Sequence, residues 1–260
     1  MMSVVEIVAL AGSAAGAGVI NAVAGGGTLL TFPTLLAFGT PPVVANATST
    51  LALVIGTSGG VVGNRRHLKA ILPWFWRFLP VSLLGGLLGS ALLTHTSNQT
   101  FGRWVPFLIL FATLIFLAQD FFRRLAAARL KACSEGAAGR GWWIAIFFQF
   151  LVAIYGGYFG AGIGILMLAT LSFVGMHNIY EMNTLKTLLG SLLNLVAAVW
   201  FMGAGLIDWP RVLVLTVGAV MGYYLGSHYS QRISQVQIRR LITAIGFLLS
   251  GLTFYREFCR

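Results

Sequence analysis

The sequence predicts an all-α fold: a polytopic transmembrane helical bundle of two inverted repeats, each a glycine-broken re-entrant segment plus three spanning helices. Three observations carry this reading. The chain of 260 residues is 58% hydrophobic and 9% charged, with a mean hydropathy of +0.87, far outside the averages of soluble domains. Its two halves repeat one another in register. Equivalent loops of the two halves carry opposite charge bias.

The apolar segments define the elements. An α-helix needs about 20 residues to cross ~30 Å of hydrocarbon at 1.5 Å per residue. Uncharged apolar runs at Val43 to Val62, Leu79 to Leu93, Trp104 to Leu117 and Leu188 to Met202 anchor four spans. The first half opens with Ile7 to Phe38, broken at Gly25-Gly26-Gly27, and continues with spans beginning near Val43, Trp74 and Trp104. The second opens with Trp142 to Val174, broken across Gly156-Gly157 and Gly160 to Gly164, with spans beginning near Met182, Val212 and Leu241. A basic stretch from Arg123 to Arg140 has the composition of a cytoplasmic linker. The expected division is a first repeat over 1–122, a linker over 123–141 and a second repeat over 142–260. Glu6 stands where a secretory signal would carry basic residues, so the N-terminal apolar run reads as retained structure.

The repeat emerges when each residue is laid on the one 136 positions later and, after a one-residue insertion, 137 later. Gly26 then falls on Gly162 and Gly39 on Gly175; beyond the insertion Asn46 falls on Asn183, Thr50 on Thr187 and Pro73 on Pro210. Gly85, Gly89 and Ser90 fall on Gly222, Gly226 and Ser227. Small-residue motifs are common where helices pack in lipid, but order and spacing held over so long a stretch indicate duplication.

Loop charge gives orientation through the excess of Lys and Arg on the cytoplasmic side. Arg65, Arg66 and Lys69 mark the loop after the first full span as cytoplasmic, whereas its counterpart around Asp208 and Arg211 has no basic excess. The next pair reverses: His95 to Arg103 is nearly uncharged, while its counterpart carries Arg232, Arg239 and Arg240. Equivalent loops on opposite sides require an inverted repeat and an odd number of crossings per half. Three spans per half meet that condition if each glycine-broken segment enters and returns, placing both termini outside the cytoplasm. Arg256 and Arg260 run against this placement.

The net charge of +11 would point to nucleic acid in a soluble protein. Here it follows the loops, without the aromatic and basic interleaving of a nucleic-acid module, so no nucleic-acid partner is expected. Cys133 and Cys259 form no metal-ligand pattern or disulfide framework. No zinc, P-loop or dinucleotide fingerprint occurs, and no cofactor or metal is expected. Gly56-Thr57-Ser58-Gly59 matches the short pattern that carries the nucleophile of rhomboid intramembrane proteases. A nucleophilic serine needs a base within hydrogen-bond reach, and His67, His95, His177 and His228 all fall near span ends.

The glycine breaks are the candidate site. Irregular backbone at membrane depth is tolerated only where protein buries it or it lines a polar cavity. In Asn21-Ala22-Val23-Ala24-Gly25-Gly26-Gly27-Thr28 a sharp turn is expected, with a new helix beginning at Thr28. The free N–H groups of a helix start favour an anion. Gly160-Ala161-Gly162-Ile163-Gly164 repeats the device. In an inverted repeat the two starts meet near the midplane and clasp one anion. The following span adds Asn46, Thr48, Ser49 and Thr50 in the first half and Asn183, Thr184, Lys186 and Thr187 in the second, with Asn194 two turns further on. Each has a plainer alternative. Glycines permit close packing, Ser and Thr bond back to their own helix, and Lys186 can snorkel or pair with Glu181. An ionisable residue within an apolar helix is nevertheless a functional candidate.

Gly25 through Leu36, followed by Asn46-Ala47-Thr48-Ser49, resembles the sulfite exporter TauE/SafE family of membrane permeases. The glycine-rich stretch to Gly164, Asn183-Thr184-Leu185-Lys186, and Gly203 to Trp209 followed by Gly222-Tyr223-Tyr224-Leu225-Gly226-Ser227 extend the resemblance over nearly the whole chain. The second glycine run is looser than the family pattern. The resemblance implies a permease of the bacterial inner membrane for small sulfur-containing anions such as sulfite or organosulfonates. The expected function is secondary transport of such an anion by alternating access around a midplane site. The alternatives are an anion channel of the same fold, an intramembrane serine hydrolase using Ser58, and a non-transporting scaffold. The expected partners are the anion and the lipid bilayer; oligomeric state is open, a homodimer being one option.

Overall fold

The computed structural model describes residues 2–23, 26–63, 68–118, 121, 138–172, 176, 179–229 and 235–258. These form helices and short connections, with no strand among them. The described helices are α1 (Val4–Val23), α2 (Thr28–Ala37), α3 (Pro42–Gly63), α4 (Leu68–Thr94), α5 (Asn98–Leu117), α6 (Ala138–Tyr158), α7 (Ile163–Ser172), α8 (Ile179–Gly203), α9 (Trp209–Tyr229) and α10 (Gln235–Phe258). Most of the expected basic linker, loop residues Arg65, Arg66 and Arg232, and both cysteines lie outside the described residues.

Among the described residues, four helical stretches are long and apolar enough to cross a membrane: Val4–Ala22, Ile71–Thr94, Asn98–Leu117 and Glu181–Gly203. Three are spans expected from sequence. The fourth, Val4–Ala22, belongs to the segment expected to be broken. The break comes late in that segment, so α1 keeps 20 residues, about 30 Å of helix, while α2 has 10, about 15 Å. The second half has the same imbalance, with 21 residues in α6 and 10 in α7.

Packing exchanges the halves. Laid on one another by the sequence offset, α1 to α5 correspond to α6 to α10. Helix α1 packs on α9 as α6 packs on α4; α3 packs on α9 as α8 packs on α4; α2 touches α10 as α7 touches α5. Helices α3 and α8 meet each other, as do α5 and α10.

Glycine makes the closest of these interfaces. A methyl added to Gly218, Gly222 or Gly226 of α9 would strike main-chain atoms of Ala11, Ala15 or Val19 of α1. The contacts advance in the same sense along both helices, so α1 and α9 run parallel. On the other side Gly85 meets Phe150 to Ile154, Gly89 meets Ile154 to Tyr158, and Gly157 lies on Gly86, so α4 and α6 also run parallel. In lipid, close backbone approach supplies the dispersion contacts that a hydrophobic driving force cannot. Gln149 of α6 adds a buried hydrogen bond, donating from Nε2 to Ser82 Oγ of α4 at 2.9 Å.

Inward-facing aromatics fill the space between interfaces. Phe32 of α2 meets Phe159 edge to face at 5.4 Å between ring centroids and Phe101 at 6.2 Å. Outward, Leu84, Leu88 and Leu92 of α4 and Leu213, Val217 and Met221 of α9 are each at least half exposed. Their four-residue spacing makes an apolar stripe suited to lipid.

The outer ends of the two parallel pairs differ in chemistry. Arg211 Nε donates to Glu6 Oε1 at 2.8 Å, and its guanidinium also holds the Asp208 carboxylate and reaches Phe38 O at 3.4 Å. By the sequence offset Glu6 corresponds to Trp142 and Arg211 to Trp74. Those indoles stand 5.9 Å apart, with the Arg77 guanidinium 5.6 and 5.4 Å from the two ring centroids. One end is fastened by ions and the other by a cation over aromatic faces.

Two substitutions test these interfaces. Gly222→Leu is expected to lower the thermal midpoint of detergent-solubilised protein, since overpacking costs about 1–3 kcal/mol. Gly12→Leu, where an added Cβ meets nothing within 4 Å, should leave it near that of the parent; equal effects would contradict a glycine-made interface. In a double-mutant cycle, Glu6→Gln and Arg211→Gln together should destabilise by clearly less than the sum of the single changes, because each single change strands a largely buried partner.

Candidate functional site

The two glycine breaks meet at a polar cavity of about 340 Å³. The first break contributes Asn21 and Ala22 from the end of α1, Gly26, and Thr28 at the start of α2. The second contributes Gly160 and, from α7, Ile163, Gly164 and Met167. Helix α3 adds Thr50 and Leu53, α9 adds Tyr223, and α8 presents Asn183, Lys186, Thr187, Gly190, Ser191 and Asn194. The α8 residues recur at three- and four-residue steps, one face of a helix.

The breaks are built from left-handed glycines and satisfied by side chains. Gly26, Gly160 and Gly162 have φ of 102°, 82° and 77°, a region open to glycine at little steric cost. The Gly27 N–H donates to Asn21 Oδ1 at 2.8 Å, closing the first break from six residues upstream. The amides of Leu29 and Leu30 bond back to the carbonyls of Gly26 and Gly27. Helix α2 thus begins at Thr28, as expected, but with fewer N–H groups facing outward than a bare helix start would have. In the second break Tyr155 Oη donates to Ala161 O at 2.7 Å. Asn46 Nδ2 of α3 donates to Tyr158 O, the last residue of α6, at 3.1 Å.

One ring joins the two breaks. Phe116 of α5 is fully buried and lies against both Gly26 and Gly162. A Cβ on Gly26 would fall on that ring, while at Gly162 it would stand 3.6 Å from it.

Lys186 is the one formally charged residue among those described that line the cavity. Its stem runs along Gly164, whose added Cβ would lie 3.4 Å from Cδ and 3.9 Å from Nζ. Thr50 and Thr187, at equivalent positions, each donate to their own helix at 2.8 Å, to Asn46 O and Asn183 O. They offer the cavity oxygen lone pairs. An ammonium, several carboxamides and a tyrosine can together neutralise one negative charge and donate to its oxygens. Among the described residues no group of three or more His, Cys, Asp or Glu side chains is placed to hold a metal ion.

Of the residues singled out from sequence, Asn21, Gly26, Thr28, Thr50, Gly160, Gly164, Asn183, Lys186, Thr187 and Asn194 line this cavity. The others take different places. Gly27 is held by Asn21, Asn46 caps α6, and Gly162 lies on Phe116. Thr48 Oγ1 accepts from the Asp208 N–H at 3.1 Å, tying α3 to the loop before α9. Ser49 is hydrogen-bonded to Thr31 of α2, and Thr184 is buried outside the lining. Gly25 and the Ser58 side chain lie outside the described residues. Sequence reasoning missed Gly190 and Ser191, which the helical period from Asn183 to Asn194 could have found. It also missed Leu53, Met167, Tyr223 and Phe116, which as apolar or aromatic residues in apolar helices give no local signal.

A family model described as "Sulfite exporter TauE/SafE" matches residues 9–253. The chain is 28% identical over 243 residues to a probable membrane transporter protein of Haemophilus influenzae, covering 92% of this chain and 90% of that one. It is 25% identical over 247 residues to the probable membrane transporter protein YfcA of Escherichia coli, covering 92% and 86%. It is 25% identical over 240 residues to the probable membrane transporter protein ORF9 of a Sinorhizobium species, covering 90% and 87%. No solved structure matches the chain. The chain therefore belongs to the sulfite exporter TauE/SafE family, a family of membrane transporters rather than of enzymes.

Proposed function

We propose that the protein is a multi-pass secondary transporter of the bacterial inner membrane that carries a small anion, sulfite or an organosulfonate, by alternating access. The observation that carries the reading is Lys186, a cation that lines the cavity where both glycine breaks meet. In a recess walled by apolar helices an ammonium binds an anion more strongly than at a surface. At ~30 Å³ per water, the cavity of about 340 Å³ has room for an anion with an organic tail or a compact anion with retained waters.

Helix direction supports an inverted repeat. Contacts advance in parallel from α1 to α9, and from α3 to α9 through Thr48 with Asp208 and Gly56 with Ala219. They do so from α4 to α6, and from α4 to α8 through Gly86 with Leu193 and Thr94 with Trp200. Ala198 of α8 and Val212 of α9 share one cluster with Leu51 across residues 204–208, which supports opposite directions for the two groups. The equivalent pairs α1 and α6, α3 and α8, and α4 and α9 are each divided between the groups, as inversion requires. The re-entrant reading of α1 and α2 is supported by Arg211, which reaches both Glu6 near the start of α1 and Phe38 just past the end of α2.

The reading is tested by flux in proteoliposomes. Lys186→Ala is expected to reduce sulfite or sulfonate uptake about 30-fold or more, the loss of a charge-assisted contact of ~2–3 kcal/mol, while Lys186→Arg keeps part of it. Full uptake by the alanine variant would remove Lys186 from the site. Counterflow and saturation mark a transporter; their absence marks a channel. Gly26→Ala is expected to block uptake by driving a methyl into Phe116, and Phe116→Ala in the same chain should restore part of it. Restoration stays partial because alanine is strained at φ 102°.

A further inference from the structure

The repeat-equivalent asparagines are used differently. Asn46 is 1% exposed, and its Nδ2 holds the carbonyl of Tyr158 at the end of α6. That carbonyl lies at a helix end that has already turned away, since the N–H groups of Phe159 and Gly160 both bond to Tyr155 O. The bond joins α3 of the first half to the break of the second. Asn46 Oδ1 is buried and unbonded, so this arrangement serves Asn46 incompletely. Asn183, its equivalent on α8, lines the cavity. By the same offset Tyr158 corresponds to Ala22, near the end of α1, and Ala22 lines the same cavity as Asn183. The neighbouring pair follows suit: Ser49 is bonded to Thr31, while their equivalents Lys186 and Met167 both border the cavity. Asn46 and Ser49 of α3 are held by bonds to Tyr158 and Thr31, whereas Asn183 of α8 borders the cavity.

We infer that Asn46 and Asn183 are exchangeable caps that position the two breaks in turn. In the conformation described, Asn46 caps α6 and Asn183 faces the cavity. In the conformation open to the other side, Asn183 Nδ2 donates to the Ala22 carbonyl and Asn46 faces the cavity. One cap is made as the other is released, so two conformers that differ at many contacts keep similar free energies, as a transport cycle needs. This rests on the alternating-access reading and adds to it the residues that set the balance between its two states.

Cavity accessibility tests the exchange. In a chain carrying Cys133→Ser, Cys259→Ser and Ser191→Cys, a membrane-impermeant maleimide is applied from each face of oriented vesicles, and the ratio of the two labelling rates is read. Asn46→Ala is expected to move that ratio about fivefold one way and Asn183→Ala about fivefold the other, the effect of one hydrogen bond. The double variant should return it to the parent value. Asn46→Leu and Asn183→Leu, of similar size but without a donor or a charge, should reproduce the shifts and serve where alanine prevents folding. Shifts in the same sense, no shift, labelling from one face in every variant, or a double variant that stays displaced would each overturn the exchange. Anion flux in the same vesicles separates the two readings. Reciprocal shifts without flux refute transport and leave the caps standing, whereas flux without reciprocal shifts refutes the caps alone.

Discussion

The structure depends on how broken backbone is satisfied inside an apolar solvent. A helix stopped within a membrane leaves carbonyls at one end and amides at the next start, and each unmet group costs several kcal/mol in hydrocarbon. Three side chains meet that demand: Asn21 on the Gly27 amide, Tyr155 on the Ala161 carbonyl and Asn46 on the Tyr158 carbonyl. The polar residues that recur near the breaks thus have a structural duty before any functional one. The α8 residues from Asn183 to Asn194 instead border the cavity between the breaks.

The same constraint explains the glycine-made interfaces. For α1 to stand against α9 and α6 against α4 closely enough to enclose the breaks, one helix of each pair must present bare backbone, and Gly222 and Gly157 do so against Ala15 and Gly86. The ends of those pairs are then free to differ. An ionic cluster at Glu6, Asp208 and Arg211 and an aromatic one at Trp74, Arg77 and Trp142 occupy corresponding places. The two ends therefore give the halves unequal fastenings within a common plan.

Much of this was legible in the residues and some was not, for physical reasons. The start of α2 at Thr28 was readable because three glycines free the backbone to turn sharply, and an apolar helical run follows them. Asn183, Lys186, Thr187 and Asn194 stood out as polar groups in an apolar helix, where polarity needs a reason. The same logic picked Asn46, Thr48 and Ser49, yet polarity alone does not distinguish a residue that faces a cavity from one that ties helices together. Phe116 and Tyr223 carried no signal, since in lipid both faces of a helix are apolar and composition does not reveal which one turns inward.

The central claim is that an anion binds where the two breaks meet, beside Lys186. Its most direct test is an experimental structure of the protein with selenite, an anomalously scattering analogue of sulfite. The account predicts one anomalous peak inside the cavity, within about 4 Å of Lys186 Nζ, the range of a direct ion contact. A cavity empty at saturating selenite, or a peak bound only elsewhere on the molecule, would contradict it.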